Sequence, residues 1–127
     1  MNNLEEITFA DHTNIYENET HSELNYIVDS KKFSLKFFLT DFEEILQNII
    51  DQNYDGYNNL PILLKRHNEE TLWDFQGEVT DLRKLRDLMN HVKLKDLKLS
   101  CSLKLFHEIN MFLDHCIKHK LKLKIKS

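Results

Sequence analysis

The sequence is poor in the residues that make tight backbone turns and covalent cross-links. It has two glycines, one proline and two cysteines in 127 residues. So few glycines exclude a glycine-rich loop that cradles phosphate groups. Two cysteines without CxxC spacing do not form a disulfide framework. Because Cys101 and Cys116 stand among apolar neighbours, we expect both to be free, buried and poorly reactive thiols.

Long apolar runs are missing as well. No stretch approaches the roughly 20 apolar residues that a membrane span requires. The first residues lack the basic, apolar and small-residue pattern of a signal peptide. Together with the free thiols, these absences lead us to expect a cytoplasmic protein with no membrane segment.

Lysine and arginine are absent from the first thirty positions, whereas nine lysines follow from Lys93 onward. The two ends can attract each other within the fold, or they can face different partners. The lysine-rich tail, residues 120–126, contains no arginine and no aromatic residue between its lysines, so it offers no platform for base stacking. We therefore expect no nucleic-acid partner.

The segment 71–92 (TLWDFQGEVTDLRKLRDLMNHV) organises our expectation of the fold. Its residues 72–79 have the composition of a strand, and Thr80 is a candidate N-cap for the helix that follows. Forty residues earlier, the segment 39–45 (LTDFEEI) resembles 79–85 (VTDLRKL). There Thr40 and Glu43 have the spacing of a capping box. The repetition predicts two strand-then-helix units.

The remaining segments complete an α+β domain over residues 1–127. Residues 24–28 and 33–39 are predicted to form a β-hairpin, and residues 60–64 are predicted to be the strand that precedes the Trp73 strand. We further expect a strand at 97–101, a helix at 103–119 and an edge strand at 121–126, with the two strands parallel. The acidic segment 1–22 is expected to be partly irregular, with an edge strand near Ile7. The prediction is thus two hairpin–helix units and a C-terminal strand–helix–strand.

One helical turn separates His115 from His119, a spacing at which two imidazoles can share a metal ion. In zinc proteases the second position of this pattern is a glutamate that activates water, and here it is Cys116. Lys118 repels a cation, and a third ligand has to come from elsewhere, with His107 as a candidate. The alternative is a polar helix end, where imidazoles suit the negative pole of the helix dipole. We favour that alternative and expect neither a metal nor a cofactor, and no catalytic residues.

The segment 51–59 (DQNYDGYNN) has the composition of an exposed turn. Tyrosines provide large contact areas at low entropic cost, and aspartates beside them favour a basic partner. The alternative is a solvated turn whose tyrosines pack on the core. The predicted partner-binding residues are Asp51, Tyr54, Asp55, Tyr57, Glu17, Glu19 and Glu23.

The segment 73–82 (WDFQGEVTDL), a strand, a glycine and a capped helix, resembles the immunity proteins of bacterial polymorphic and contact-dependent toxins. The chain is also similar to them in its size, its acidity and its lack of catalytic motifs. The resemblance implies a non-catalytic inhibitor that neutralises a cognate toxin domain, which would be basic and of the nuclease type. The alternatives are a small metal-binding or enzymatic protein that uses His115 and His119, and an accessory subunit of a larger complex.

Overall fold

The computed structural model describes residues 4–13, 21–52 and 59–127. Short 3-10 turns at Leu72–Asp74 and Leu94–Asp96 connect longer elements. Those elements, in chain order, are β1 (Glu5–Asp11), β2 (His21–Val28), β3 (Lys31–Phe38), α1 (Leu39–Gln52), α2 (Ile62–Asn68), β4 (Gln76–Val79), α3 (Leu82–Met89), α4 (Ser102–His119) and β5 (Leu123–Lys126).

The five strands form one mixed sheet in the order β1-β3-β2-β5-β4. The outer strand β1 runs parallel to β3, with an irregularity in register between Thr8 and Ala10. All other neighbouring strands are antiparallel. β2 and β3 form a hairpin whose turn residues Asp29 and Ser30 both have positive φ, the conformation expected of a tight hairpin turn.

One face of the sheet is apolar and carries the helices, whereas the other is polar. Leu24 and Tyr26 of β2 point to the apolar face, where the ring of Tyr26 lies 5.1 Å from that of Phe112 in α4. The ring of Phe37 in β3 lies 5.2 Å from that of Phe42 in α1. The helices and this face enclose one apolar core, which contributes most of the folding free energy.

The α+β class is confirmed, and so are several of its predicted elements. The hairpin of residues 24–28 and 33–39 forms, α1 follows it, and the predicted helix at 103–119 is α4. An edge strand near Ile7 is present as β1. No helix among the described residues is long and apolar enough to cross a membrane.

The predicted strand at 60–64 is wrong, because these residues lead into α2. The amide of Lys65 donates to the carbonyl of Pro61 at 2.9 Å, which closes the first turn of the helix. A proline at a helix start loses no hydrogen bond. Leu63 and Leu64 are fully buried, and a short buried apolar run does not by itself distinguish a strand from a helix. The fold therefore has one hairpin–helix unit, not two.

The strand predicted at 72–79 is shorter than expected. Trp73 lies in the 3-10 turn, is 65% exposed and donates its indole N–H to the carbonyl of Glu70 at 3.1 Å. Thr80 is not the N-cap of α3. Asp81 occupies that position with φ of 56°, and its side chain caps no amide.

The capping box predicted at α1 is wrong as well. Helix α1 begins at Leu39, so Thr40 lies inside it. The carboxylate of Glu43 contacts the imidazole of His67 at 2.9 Å.

The expected strand at 97–101 is absent from the described structure, because Glu44 uses the backbone amides there. Its carboxylate accepts hydrogen bonds from the amides of Lys98 and Leu99 at 3.0 and 3.2 Å. Without that strand there is no parallel crossover, and β5 is antiparallel to both β2 and β4. It lies between them, so the prediction that it forms an edge is also wrong. The lysines of β5 instead cover part of the polar face.

Candidate functional site

Four side chains form a hydrogen-bonded row on the solvent side of α1, here called the α1 polar row. Glu43, Gln47 and Asp51 are four residues apart, a spacing that places them on one face of the helix. His67 of α2 lies between the first two, with Nδ1 2.9 Å from Glu43 Oε2 and Nε2 2.9 Å from Gln47 Oε1. The amide nitrogen of Gln47 then donates to Asp51 Oδ1 at 2.9 Å. The row therefore orients the carboxylate of Asp51 at the end of α1.

His67 and Gln47 connect the two carboxylates of this row. The ring nitrogens of His67 face Glu43 Oε2 and Gln47 Oε1, and their donor and acceptor roles depend on the tautomer. The NH₂ group of Gln47 points to Asp51, so its amide oxygen is the atom that faces His67.

An acidic cleft of about 380 Å³ adjoins the α1 polar row. Of the six described residues that line it, three are acidic and none is basic. The carboxylates of Asp51 and Asp96 belong to exposed residues, so a positively charged side chain can reach them from solvent. The lining residues are Glu44, Gln47, Asn48, Asp51, Gln52 and Asp96.

The far wall of the cleft is held in place by α1. The side chain of Asn48 accepts from the amide of Lys93 at 2.9 Å and donates to the carbonyl of the same residue at 3.3 Å. With the bonds from Glu44 to the amides of Lys98 and Leu99, these contacts fix the segment that carries Asp96. The cleft is therefore preorganised, which lowers the entropic cost of binding.

The predicted site residues fall into three groups. Asp51 lies at the cleft. Glu23 lies on the polar face of the sheet, on the opposite side of β2 from the buried Leu24, where it accepts from Asn25 at 2.8 Å and pairs with Lys32 at 3.2 Å. The sheet therefore separates Glu23 from Asp51. The remaining predicted residues are outside the described residues; they are Glu17, Glu19, Tyr54, Asp55 and Tyr57.

The site includes residues that the sequence reasoning missed. Glu43, Gln47, His67 and Asp96 were not predicted to belong to it. The spacing of Glu43, Gln47 and Asp51 predicts that they share one polar face of α1. His67 reaches that face from α2, a helix that begins where the sequence predicted a strand at 60–64.

The rings of His115 and His119 lie 4.5 Å apart, and His115 also packs against Tyr26 at 5.1 Å. Burial, with the neighbouring His119 and Lys118, lowers the pKa of His115 from its ordinary value. The described residues contain no group of three or more potential metal ligands. The prediction of no bound metal stays a prediction.

A buried acid–base cluster ties the first strand to the helices. The imidazole Nε2 of His12 lies 2.8 Å from Glu108 Oε2, and both side chains are 9% exposed. Burial and the nearby Glu44 raise the pKa of Asp41, while His12 opposes that rise. Ser102 donates its hydroxyl to the carbonyl of Asp41 at 3.2 Å. Because this cluster joins β1 to α1 and α4 inside the protein, we assign it a structural role.

Both cysteines are free, as predicted. Cys116 is buried in the core, and burial raises the pKa of its thiol to about 11. Cys101 is half-buried at the start of α4, so the prediction that it is buried is wrong. A thiol that stays protonated is a poor nucleophile, so the low reactivity predicted for Cys116 has a physical basis.

A scan against protein-family models found no match, and searches of curated proteins and of solved structures found none either.

Proposed function

We propose that the protein is a non-catalytic inhibitor that binds a basic protein through the acidic cleft of α1, in the manner of an immunity protein that neutralises a toxin domain in the cytoplasm. The observation that carries the proposal is the oriented carboxylate of Asp51 at a cleft whose described lining consists of acidic and amide side chains. Such a surface selects lysine or arginine side chains of a partner.

The position of Asp51 links the described cleft to the predicted tyrosine loop. Asp51 is followed in sequence by Tyr54 and Tyr57, which we propose as the anchors that bury apolar area in the partner. An oriented acidic patch beside aromatic anchors would combine fast association with slow dissociation. In this division of roles Asp51, Asp55 and Asp96 guide the partner and the tyrosines hold it.

The test uses the protein encoded beside this chain in its genome, because an immunity protein is expected next to its toxin. The affinity and the association and dissociation rates of the purified proteins are measured by surface plasmon resonance at low and high salt. For Asp51→Asn and Asp96→Asn we expect weaker binding, mostly through slower association, with a loss that shrinks as salt rises. Tyr54→Ala and Tyr57→Ala should each cost about 2 kcal/mol or more, mostly through faster dissociation.

The matched control is Asp87→Asn, which removes the same charge from an exposed position on α3. It should bind like the wild type. If the Asp51 and Asp87 variants lose equal affinity, the effect is one of net charge and the cleft is not the interface. If the neighbouring protein does not bind, or its toxicity in cells is unchanged by co-expression, the inhibitor function is wrong for that pair.

A further inference from the structure

Strand β1 presents a seven-residue edge that no described strand covers. Among the described strands, β1 is the outermost and is paired with β3. Two large apolar residues at this edge are unusually exposed, Leu4 at 40% and Phe9 at 42%. An uncovered strand edge is a template for pairing with another strand.

The hydrogen bonds of β1 identify the backbone groups that face outward. The amide of Glu5 donates to the carbonyl of Ser30 at 3.1 Å, so the backbone groups of Glu5 face β3. In a parallel ladder, alternate residues bond to the same neighbour. The N–H and C=O groups of Glu6 and Thr8 therefore point away from the sheet, toward an incoming strand.

The charge of β1 decides which strand fits. It carries Glu5, Glu6 and Asp11 and no basic residue. A second copy of β1 that pairs antiparallel through Glu6 and Thr8 would place Glu6 opposite Thr8 and bring two acidic strands side by side, whose like charges repel. A strand with basic residues would meet opposite charges instead.

The alternation of side chains along β1 indicates which residue types an incoming strand needs on each face of the sheet. The register places Ile7 beside the half-buried Phe33 on the helix side of the sheet, and Phe9 contacts Phe112 of α4 on that same side, with ring centroids 5.2 Å apart. Glu6 and Thr8 lie on the polar face, beside Lys32 and Ser34. An incoming strand would thus place apolar residues on the helix side and basic residues beside Glu6.

We propose that β1 is a docking edge for an extended segment of a partner protein in which basic and apolar residues alternate. The segment adds a sixth strand to the sheet by backbone pairing at Glu6 and Thr8, a known mode of peptide recognition. This edge is separate from the acidic cleft of α1, and the proposal does not rest on that cleft.

The test tethers such a strand to the full chain, so that binding is intramolecular. An N-terminal extension with alternating lysine and valine is joined through a flexible glycine–serine linker of about 12 residues, which gives an effective concentration on the order of millimolar. Amide hydrogen exchange is then measured by NMR. We expect exchange at Glu6 and Thr8 to slow roughly tenfold, because occupied amides are protected. The matched control replaces each lysine of the extension by glutamate and should leave exchange unchanged.

Three variants probe the edge itself. Thr8→Pro removes an N–H that β3 does not use, and proline is tolerated at an outward edge position. It should abolish the protection at Glu6, whereas Thr8→Val should retain it. Glu6→Lys, at a side chain that is 75% exposed and lies 3.8 Å from Lys32 of β3, should weaken the protection because it repels the basic strand, and it does not depend on tolerance of proline.

Three results would overturn the proposal. The first is unchanged exchange with the basic extension. The second is equal protection by the basic and acidic extensions, which would mean that charge does not select the strand. The third is protection of Glu6 and Thr8 in the untethered protein that grows with concentration, since the occupant would then be a second copy of the chain.

Discussion

The two strand-to-helix junctions, at residues 39–42 and 79–82, have nearly the same sequence and different structures. In the first, α1 begins at Leu39 and Asp41 is buried within its first turn. In the second, Asp81 is exposed with φ of 56°, and α3 begins after it. Asp41 is thus a helical residue, whereas Asp81, at the equivalent position, is a left-handed residue that precedes its helix.

Packing explains the difference. The first junction lies under the core, where Phe42 is fully buried against Phe37 and α4 closes over Asp41 through the hydroxyl of Ser102. At the second junction Leu82 is half-buried. Less apolar area would therefore be buried if the helix began earlier in the sequence. The shared phrase marks a helix nearby, and tertiary contacts decide the residue at which it begins.

The largest expected difference between the junctions is in their apolar residues. Phe42→Ala should lower the free energy of unfolding by about 3–5 kcal/mol, because it removes a fully buried ring and leaves a cavity. Leu82→Ala should cost about 1–2 kcal/mol, since that side chain is half-buried. Urea denaturation of both variants measures the two values. Equal costs would show that the second junction is packed as tightly as the first.

Glycine should affect the two aspartates in opposite directions. Asp81→Gly should stabilise the protein by about 0.5–1 kcal/mol, because glycine adopts positive φ without steric cost. Asp41→Gly should destabilise it by a similar amount, because glycine loses more backbone entropy inside a helix. Thermal unfolding of the two variants provides the comparison. A loss of stability in Asp81→Gly would mean that its side chain makes a contact worth more than the strain.

The burial of Asp41 also predicts that the free energy of unfolding depends on pH, with a smaller effect than that of the glycine substitutions. Burial and Glu44 raise the pKa of its carboxyl above the ordinary value of 3.8, with His12 acting the other way. A raised pKa in the folded state means that ionisation costs stability as pH rises through that pKa. Asp41→Asn should therefore match the wild type below pH 3.8 and become the more stable protein at higher pH.

Urea denaturation from pH 3 to pH 7 measures this effect. The control is Ser102→Ala, which removes a hydrogen bond to the same residue without changing a titratable group. Its difference from the wild type should stay constant with pH. An Asp41→Asn difference that is also constant would mean that the carboxyl is not destabilised by burial.

The predictable part of the fold is the part with a regular apolar period. The hairpin of β2 and β3, helix α1 and helix α4 follow patterns that few alternatives share. The segments 60–64 and 97–101 failed because local sequence did not decide them. Pro61 and a short apolar run suit a helix as well as a strand, and Glu44 captures the amides of Lys98 and Leu99 from 54 and 55 residues away.

The candidate site was predictable to a smaller extent. The turn-like composition of residues 51–59 predicts Asp51 as a partner-binding residue, and in the structure it lies at an acidic cleft. Glu23 was grouped with it because charge was counted along the chain, and such a count does not show which face of a strand a residue occupies. His67 and Asp96 reach the site through tertiary packing, for which the sequence holds no local signal.

The smallest expected effect concerns two side-chain pairs, one that joins α1 to α2 and one that joins α3 to α4. Helix α1 is joined to α2 by Glu43 and His67 at 2.9 Å, and α3 is joined to α4 by Arg86 and Asp114 at 2.8 Å. The carboxylates are 36% and 60% exposed, so solvent screens both bridges.

Double-mutant cycles should give a coupling of about 0.5 kcal/mol or less for Arg86 and Asp114. The coupling of Glu43 and His67 should be larger but below about 1 kcal/mol, because its imidazole is 12% exposed and Gln47 holds its other nitrogen. If the α3 bridge proves the stronger, hydrogen bonding within the α1 polar row does not order its members, and the orientation of Asp51 loses its support.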